Sequence, residues 1–126
     1  MINTLYLPEI REMLAEGDED GLREFATALH PARIAEFMEG LSADEAWEVL
    51  HATDPVTRVE IFGFFDEDRQ VKIIETCDRD QVSVLIADMP ADDRVDLLDE
   101  VDDAVVDEVL PLIPAEERRD ILRLSQ

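Results

Sequence analysis

An all-α solenoid of about ten short helices is what this 126-residue sequence predicts, and three observations lead there. The first is a period. Written in blocks of twelve from His30, the chain aligns with itself without gaps through Ser125, in eight units that begin with HPARIAEFMEGL and end with PAEERRDILRLS. A fixed period points to stacked supersecondary units before any other fold is considered. The second is apolar spacing. Positions eight and nine of every unit are apolar (Phe37/Met38, Val49/Leu50, Ile61/Phe62, Ile73/Ile74, Leu85/Ile86, Leu97/Leu98, Val109/Leu110, Ile121/Leu122). Position twelve adds Leu41, Phe65, Cys77, Met89, Val101 and Ile113, and position five or six adds Ile34, Trp47, Val59, Val71, Val82 and Val95. Spacings of three and four put these side chains on one face of a helix. The third is punctuation at the unit starts. Ser42, Asp54, Asp66, Asp78 and Asp102 open five of the blocks with side chains that can accept from unpaired first-turn N–H groups.

Taken in chain order, residues 1–29 form a helical pair that caps the stack. Pro8 to Glu16 reads as a helix stopped by Gly17; Asp18 then caps a second helix through about Ala28, with Leu22, Phe25 and Leu29 on its inner face. The eight units of residues 30–125 follow as one helix each. Pro31 and Pro55 sit at the second position, where a helix tolerates proline because the missing N–H had no partner. Acids crowd the first turns (Asp44 and Glu45, Glu67 and Asp68, Asp92 and Asp93, Glu116 and Glu117), where the helix dipole favours them. A two-turn helix is unstable by itself, so each unit depends on its neighbours to bury its apolar stripe. No glycine-rich linker and no strand pattern interrupts the chain, which reads as a single domain over residues 1–126.

Charge narrows the function. With 33 acidic and 11 basic residues the net charge is -22, which repels nucleic acid and anionic lipid and concentrates cations. Lys72 is the only lysine. A high-salt habitat and a cation-responsive surface both account for such a composition. Cys77 is the only cysteine, which excludes an internal disulfide and a cysteine metal cage and fits a reducing compartment. The start of the chain lacks a basic leader with an apolar run, and no uncharged stretch reaches the roughly 18 residues of a membrane helix. A segment that does not itself enter the membrane is therefore expected.

The segment from Met13 to Phe37, MLAEGDEDGLREFATALHPARIAEF, resembles the opening of the intracellular N domain of MgtE-type magnesium transporters: a leucine-rich helix, an EGD break, a second helix, then L-H-P-A-x-I-A-E. PADDRVDLLDE and PAEERRDILRL are similar to that domain's acidic short-helix units, so the resemblance covers roughly residues 10–124. Single repeats of this kind are weakly specific; EGD, LHPA and the unbroken register together are the specific part. The resemblance implies a right-handed superhelix and a regulatory role. Family members are homodimeric Mg²⁺ channels in which an N domain precedes a pair of cystathionine-β-synthase (CBS) domains and a membrane pore. High cytosolic Mg²⁺ binds between N and CBS domains, draws the acidic surfaces together and favours pore closure. Since this chain ends near where such a protein would enter its CBS domains, it is expected to be an excised cytosolic domain, with a stand-alone relative as the other reading.

Asp92 and Asp96 are an i, i+4 pair and share a helix face. Set against the family's metal-contacting D-D-x-x-D segment, the resemblance places both on Mg²⁺-ligand positions and Glu60, in TRVEIF, on a third. Asp93 and Asp99 flank them as secondary candidates. Mg²⁺ takes oxygen ligands, keeps several waters and needs only one or two carboxylates from a partner, so binding to this domain alone should be weak. The same residues also read as ordinary surface: Glu12 and Glu16 make an equivalent pair, and Asp92 and Asp93 suit a first turn. His30 and His51 lack metal-ligand spacing and read as helix-end residues, while Cys77 and Trp47 fall on the apolar pattern. No nucleophile or phosphate loop accompanies the acids, which points away from an enzyme. The alternative function is an acidic scaffold for a basic protein partner, since the flagellar motor switch protein FliG contains helical modules of related architecture. A third is a salt-adapted helical domain whose charge serves solubility.

Overall fold

A computed structural model describes residues 6–114. They contain helices and no strand, and fall into two compact units, residues 1–66 and residues 67–126. The first unit holds α1 (Leu7–Glu16), α2 (Glu19–Thr27), α3 (Pro31–Phe37), α4 (Ala43–His51) and α5 (Pro55–Gly63). The second holds α6 (Glu67–Thr76), α7 (Arg79–Asp88), α8 (Ala91–Glu100), α9 (Asp103–Val109) and a 3₁₀ turn (Leu110–Leu112). The last twelve-residue block, apart from Pro114, lies outside the described residues.

The expected punctuation sets the helix ends. Gly17 closes α1 in the left-handed region (φ 67°), its amide donating to Leu14 O while the Asp18 amide donates to Met13 O. The Asp18 carboxylate accepts from the Gly21 amide at 3.0 Å, Asp78 from Gln81 at 3.2 Å and Asp102 from Ala104 at 2.9 Å. Ser42 completes a reciprocal box: its Oγ accepts from the Glu45 amide, and the Glu45 carboxylate accepts from the Ser42 amide. Asp54 holds the N-cap position of α5 without a side-chain capping bond to the backbone, and its carboxylate is held below its ordinary range chiefly by the Thr57 side chain.

The core follows the repeat. From Phe37 through Val109 every residue at positions eight and nine is buried, and so are Leu41, Phe65, Cys77, Met89, Val101 and Ile113 at position twelve. Leu110 is half-buried, at the start of the 3₁₀ turn. Full burial of each such side chain contributes about 1.5–3 kcal/mol. Leu29 departs from expectation. Helix α2 ends at Thr27, so Leu29 leaves the period and is 46% exposed.

Helices two apart in sequence pack together within each unit: α3 on α5 and α2 on α4 in the first, α7 on α9 and α6 on α8 in the second. Twelve residues suffice for one two-to-three-turn helix and a corner, so a stripe buries itself against the next helix but one as well as against its neighbour. Polar ties reinforce these pairs. Arg79 Nε donates to Glu108 Oε2 at 2.7 Å between α7 and α9, and the Asp102 amide at the start of α9 donates to Glu75 of α6 at 3.1 Å.

Candidate functional site

Helix α8, ADDRVDLLDE, divides sharply between its two sides. Arg94, Val95, Leu97 and Leu98 are buried, whereas Asp92, Asp93, Asp96, Asp99 and Glu100 are exposed. The helix opens on Pro90, whose side chain cannot cap. The acids of the first turn therefore face uncapped amide groups that favour negative charge. Asp92 and Asp96 are four residues apart, which sets their side chains about 40° apart around the axis, roughly 5–6 Å between Cβ atoms.

Arg94, the one basic residue of α8, does not neutralise this face. It is only 6% exposed. Its Nε donates to Ile86 O at 3.0 Å and its Nη2 to Ala87 O at 2.9 Å and Met89 O at 2.6 Å, all at the C-terminal end of α7. Among the described residues, no side chain or backbone group hydrogen-bonds or ion-pairs with the carboxylates of Asp92, Asp93, Asp96 or Asp99. Other arginines also reach carbonyls at helix ends. Arg11 donates to Gly40 O, Arg23 to Ala52 O, Arg58 to Leu50, His51 and Thr53 O, and Arg79 to Ile74, Glu75 and Cys77 O. These guanidinium groups satisfy carbonyls at helix ends, where positive charge is also favoured by the dipole; Arg11, Arg23 and Arg79 in addition ion-pair with Glu45, Asp20 and Glu108, whereas Arg94 is directed only at carbonyls.

Glu60 lies on α5, in the first compact unit, and is exposed with no partner among the described residues. Asp92 and Asp96 share one face of α8 in the second unit, with Asp93 and Asp99 exposed on the same helix. Among the described residues, no three His, Cys, Asp or Glu side chains converge as a metal site. The donor set of α8 is oxygen only, which suits a hard divalent cation that retains most of its water and takes one or two carboxylates from each partner. A closed cage for a softer metal would need nitrogen or sulfur ligands that this face does not offer.

The remaining sequence candidates have structural places. His30 Nδ1 caps α3 by accepting from the Ala32 amide at 3.1 Å, and its ring meets the edge of Phe64. His51 sits in the last turn of α4 against buried Trp47. Cys77 is buried in the core. No described helix is long and apolar enough to cross a membrane. Sequence reasoning missed the arginines that anchor helix ends. The available signal was R-V-E at residues 58–60 and R-V-D at residues 94–96, at the same block positions.

The model of the MgtE intracellular N domain family matches residues 29–126. A crystal structure of the soluble part of a magnesium transporter superposes with a TM-score of 0.80 at 22% identity, covering 94% of this chain and 47% of that one. The likeness at that identity is one of fold, and the chain spans about half the length of that structure. No curated protein matches the chain.

Proposed function

Since the chain belongs to the MgtE intracellular N domain family, we propose that it is the Mg²⁺-sensing regulatory domain of a magnesium transporter, cytosolic and non-enzymatic. The observation that carries the reading is the outer face of α8, where Asp92 and Asp96 stand unpaired while the helix's own cation is turned inward onto α7. Mg²⁺ with most of its water shell would bridge this face to acidic groups on the CBS domains of the same chain or of its dimer mate. Glu60 would add a second point of attachment on α5. The net charge of -22 makes docking onto another acidic surface unfavourable without the cation, so ion concentration sets whether the domains dock. Docking when Mg²⁺ is high favours the closed pore; loss of Mg²⁺ lets the surfaces separate. Two carboxylates from one side hold the ion weakly, because Mg²⁺ keeps most of its water shell and the remaining ligands come from the partner.

The test is small-angle scattering on the chain joined to its CBS pair, at constant ionic strength with and without Mg²⁺. The wild type should compact with Mg²⁺, and Asp92→Ala with Asp96→Ala should abolish compaction. Equal compaction in both proteins rules out the assignment of these ligands.

A further inference from the structure

Arg58 and Arg94 occupy the fifth position of their blocks, three blocks apart, and make the same set of bonds. Each sends Nε to the carbonyl eight residues back (Leu50, 2.9 Å; Ile86, 3.0 Å). Each sends Nη2 to the carbonyls seven back (His51, 3.3 Å; Ala87, 2.9 Å) and five back (Thr53, 2.6 Å; Met89, 2.6 Å). These carbonyls lie at or just beyond the C-terminal end of the preceding helix, where no amide four residues on donates to them; Leu50 O and Ile86 O keep shorter bonds, from the Thr53 and Met89 amides. A guanidinium can serve three of them at once because its donors form a rigid planar fork, which a lysine's single nitrogen cannot match.

The anchoring determines which way the rest of the helix looks. Successive residues turn by about 100°, so the residues two places before and after the arginine lie about 160° away from it. With Arg94 directed at the end of α7, Asp92 and Asp96 must both face outward; with Arg58 directed at the end of α4, Val56 and Glu60 must. All four are exposed, Val56 by as much as 66%. The two helices built this way are the two that carry every ligand position assigned above.

We infer that Arg58 and Arg94 are positioning residues: each guanidinium locks the corner between its helix and the one before, and so aims Glu60 or Asp92 and Asp96 away from the core. What those carboxylates hold rests on the Mg²⁺ reading; the lock itself does not. The lock is specific to arginine and local to its own corner, so its loss should act on one cation face at a time.

The experiment is an amide NMR titration of the chain with MgCl₂ at constant ionic strength, below the unfolding range of each protein. In the wild type, amides of residues 92–99 should shift saturably. Arg94→Lys should raise the apparent Kd at α8 by about threefold to tenfold, within or just below the range typical of lost supporting partners, and leave α5 unchanged. Arg58→Lys should do the converse. Unchanged Kd values in folded variants would overturn the positioning role, because a role in stability alone does not alter binding by molecules that remain folded. A variant that cannot fold assigns its arginine to stability and counts against the proposal at that corner, leaving the other variant to decide its own. Should the wild type show no saturable shift, the Mg²⁺ reading fails separately. Hydrogen exchange then decides the lock: Arg94→Lys should speed exchange of the Arg94 and Val95 amides, and unchanged exchange overturns it.

Discussion

Arg11 of α1 donates Nε to Oε2 of Glu45 at 3.1 Å, fastening the first helix to the start of α4, while the same carboxylate accepts from the Ser42 amide. One side chain therefore completes a helix cap and ties two helices within the first unit. The Ser42 amide is the main reason that the Glu45 carboxyl sits below its ordinary value of 4.5; burial opposes the shift, and Arg11 adds to it.

The pH consequence has a definite sign. A carboxylate whose folded pKa is depressed contributes stability that is fully present above the unfolded value, near 4.5, and is lost as pH falls through the folded value. Glu45→Gln should therefore destabilise by a constant amount from pH 7 down to about 5, with the gap to wild type closing at lower pH. Urea melts across that range measure it. A gap that stays constant below pH 4 would contradict the assignment.

Two glycines should respond to alanine with opposite signs. Gly17 is left-handed (φ 67°) with open space where a Cβ would stand, so Gly17→Ala costs about 1 kcal/mol through backbone strain alone. Gly63 ends α5, also with open space, and Gly63→Ala should stabilise by a few tenths up to about 0.5 kcal/mol, less than a mid-helix exchange. Thermal midpoints moving down and up respectively are the expected result.

Arg79 should matter more than the acid it pairs with. Its bond to Glu108 is partly exposed, at 30% and 57% for the two side chains, so the pair's coupling should be below about 1 kcal/mol. Arg79 also serves the carbonyls of Ile74, Glu75 and Cys77, which Glu108→Ala leaves in place. A double-mutant cycle should give Arg79→Ala the larger loss; equal losses for both variants would show that the ion pair is the whole effect.

Most of the helical fold was legible because each twelve-residue block states the same pattern. Positions eight, nine and twelve fall inward as the spacing requires; Gly17 ends α1 through its left-handed backbone, and Asp18, Ser42, Asp78 and Asp102 begin helices through side chains that accept from first-turn amides. Leu29 was misread because the apolar period continues in the sequence past Thr27, where the backbone stops following it. The outward side of α8 was legible as an acidic i, i+4 pair, but the pair alone resembles Glu12 and Glu16. What sets α8 apart is Arg94, and its inward direction depends on carbonyls at the end of α7 that a residue pattern does not display.

That contrast provides the most direct test of whether the α8 face is a cation site. The measurement is ²⁵Mg NMR line broadening by the chain at constant ionic strength, comparing wild type with Asp92→Asn/Asp96→Asn and with Glu12→Gln/Glu16→Gln. Both double variants remove two exposed i, i+4 carboxylates, so their net charge is the same. Most of the broadening should disappear in the α8 variant and persist in the α1 variant. Equal losses in the two would mean that Mg²⁺ is held only by diffuse charge, and would contradict a site at Asp92 and Asp96.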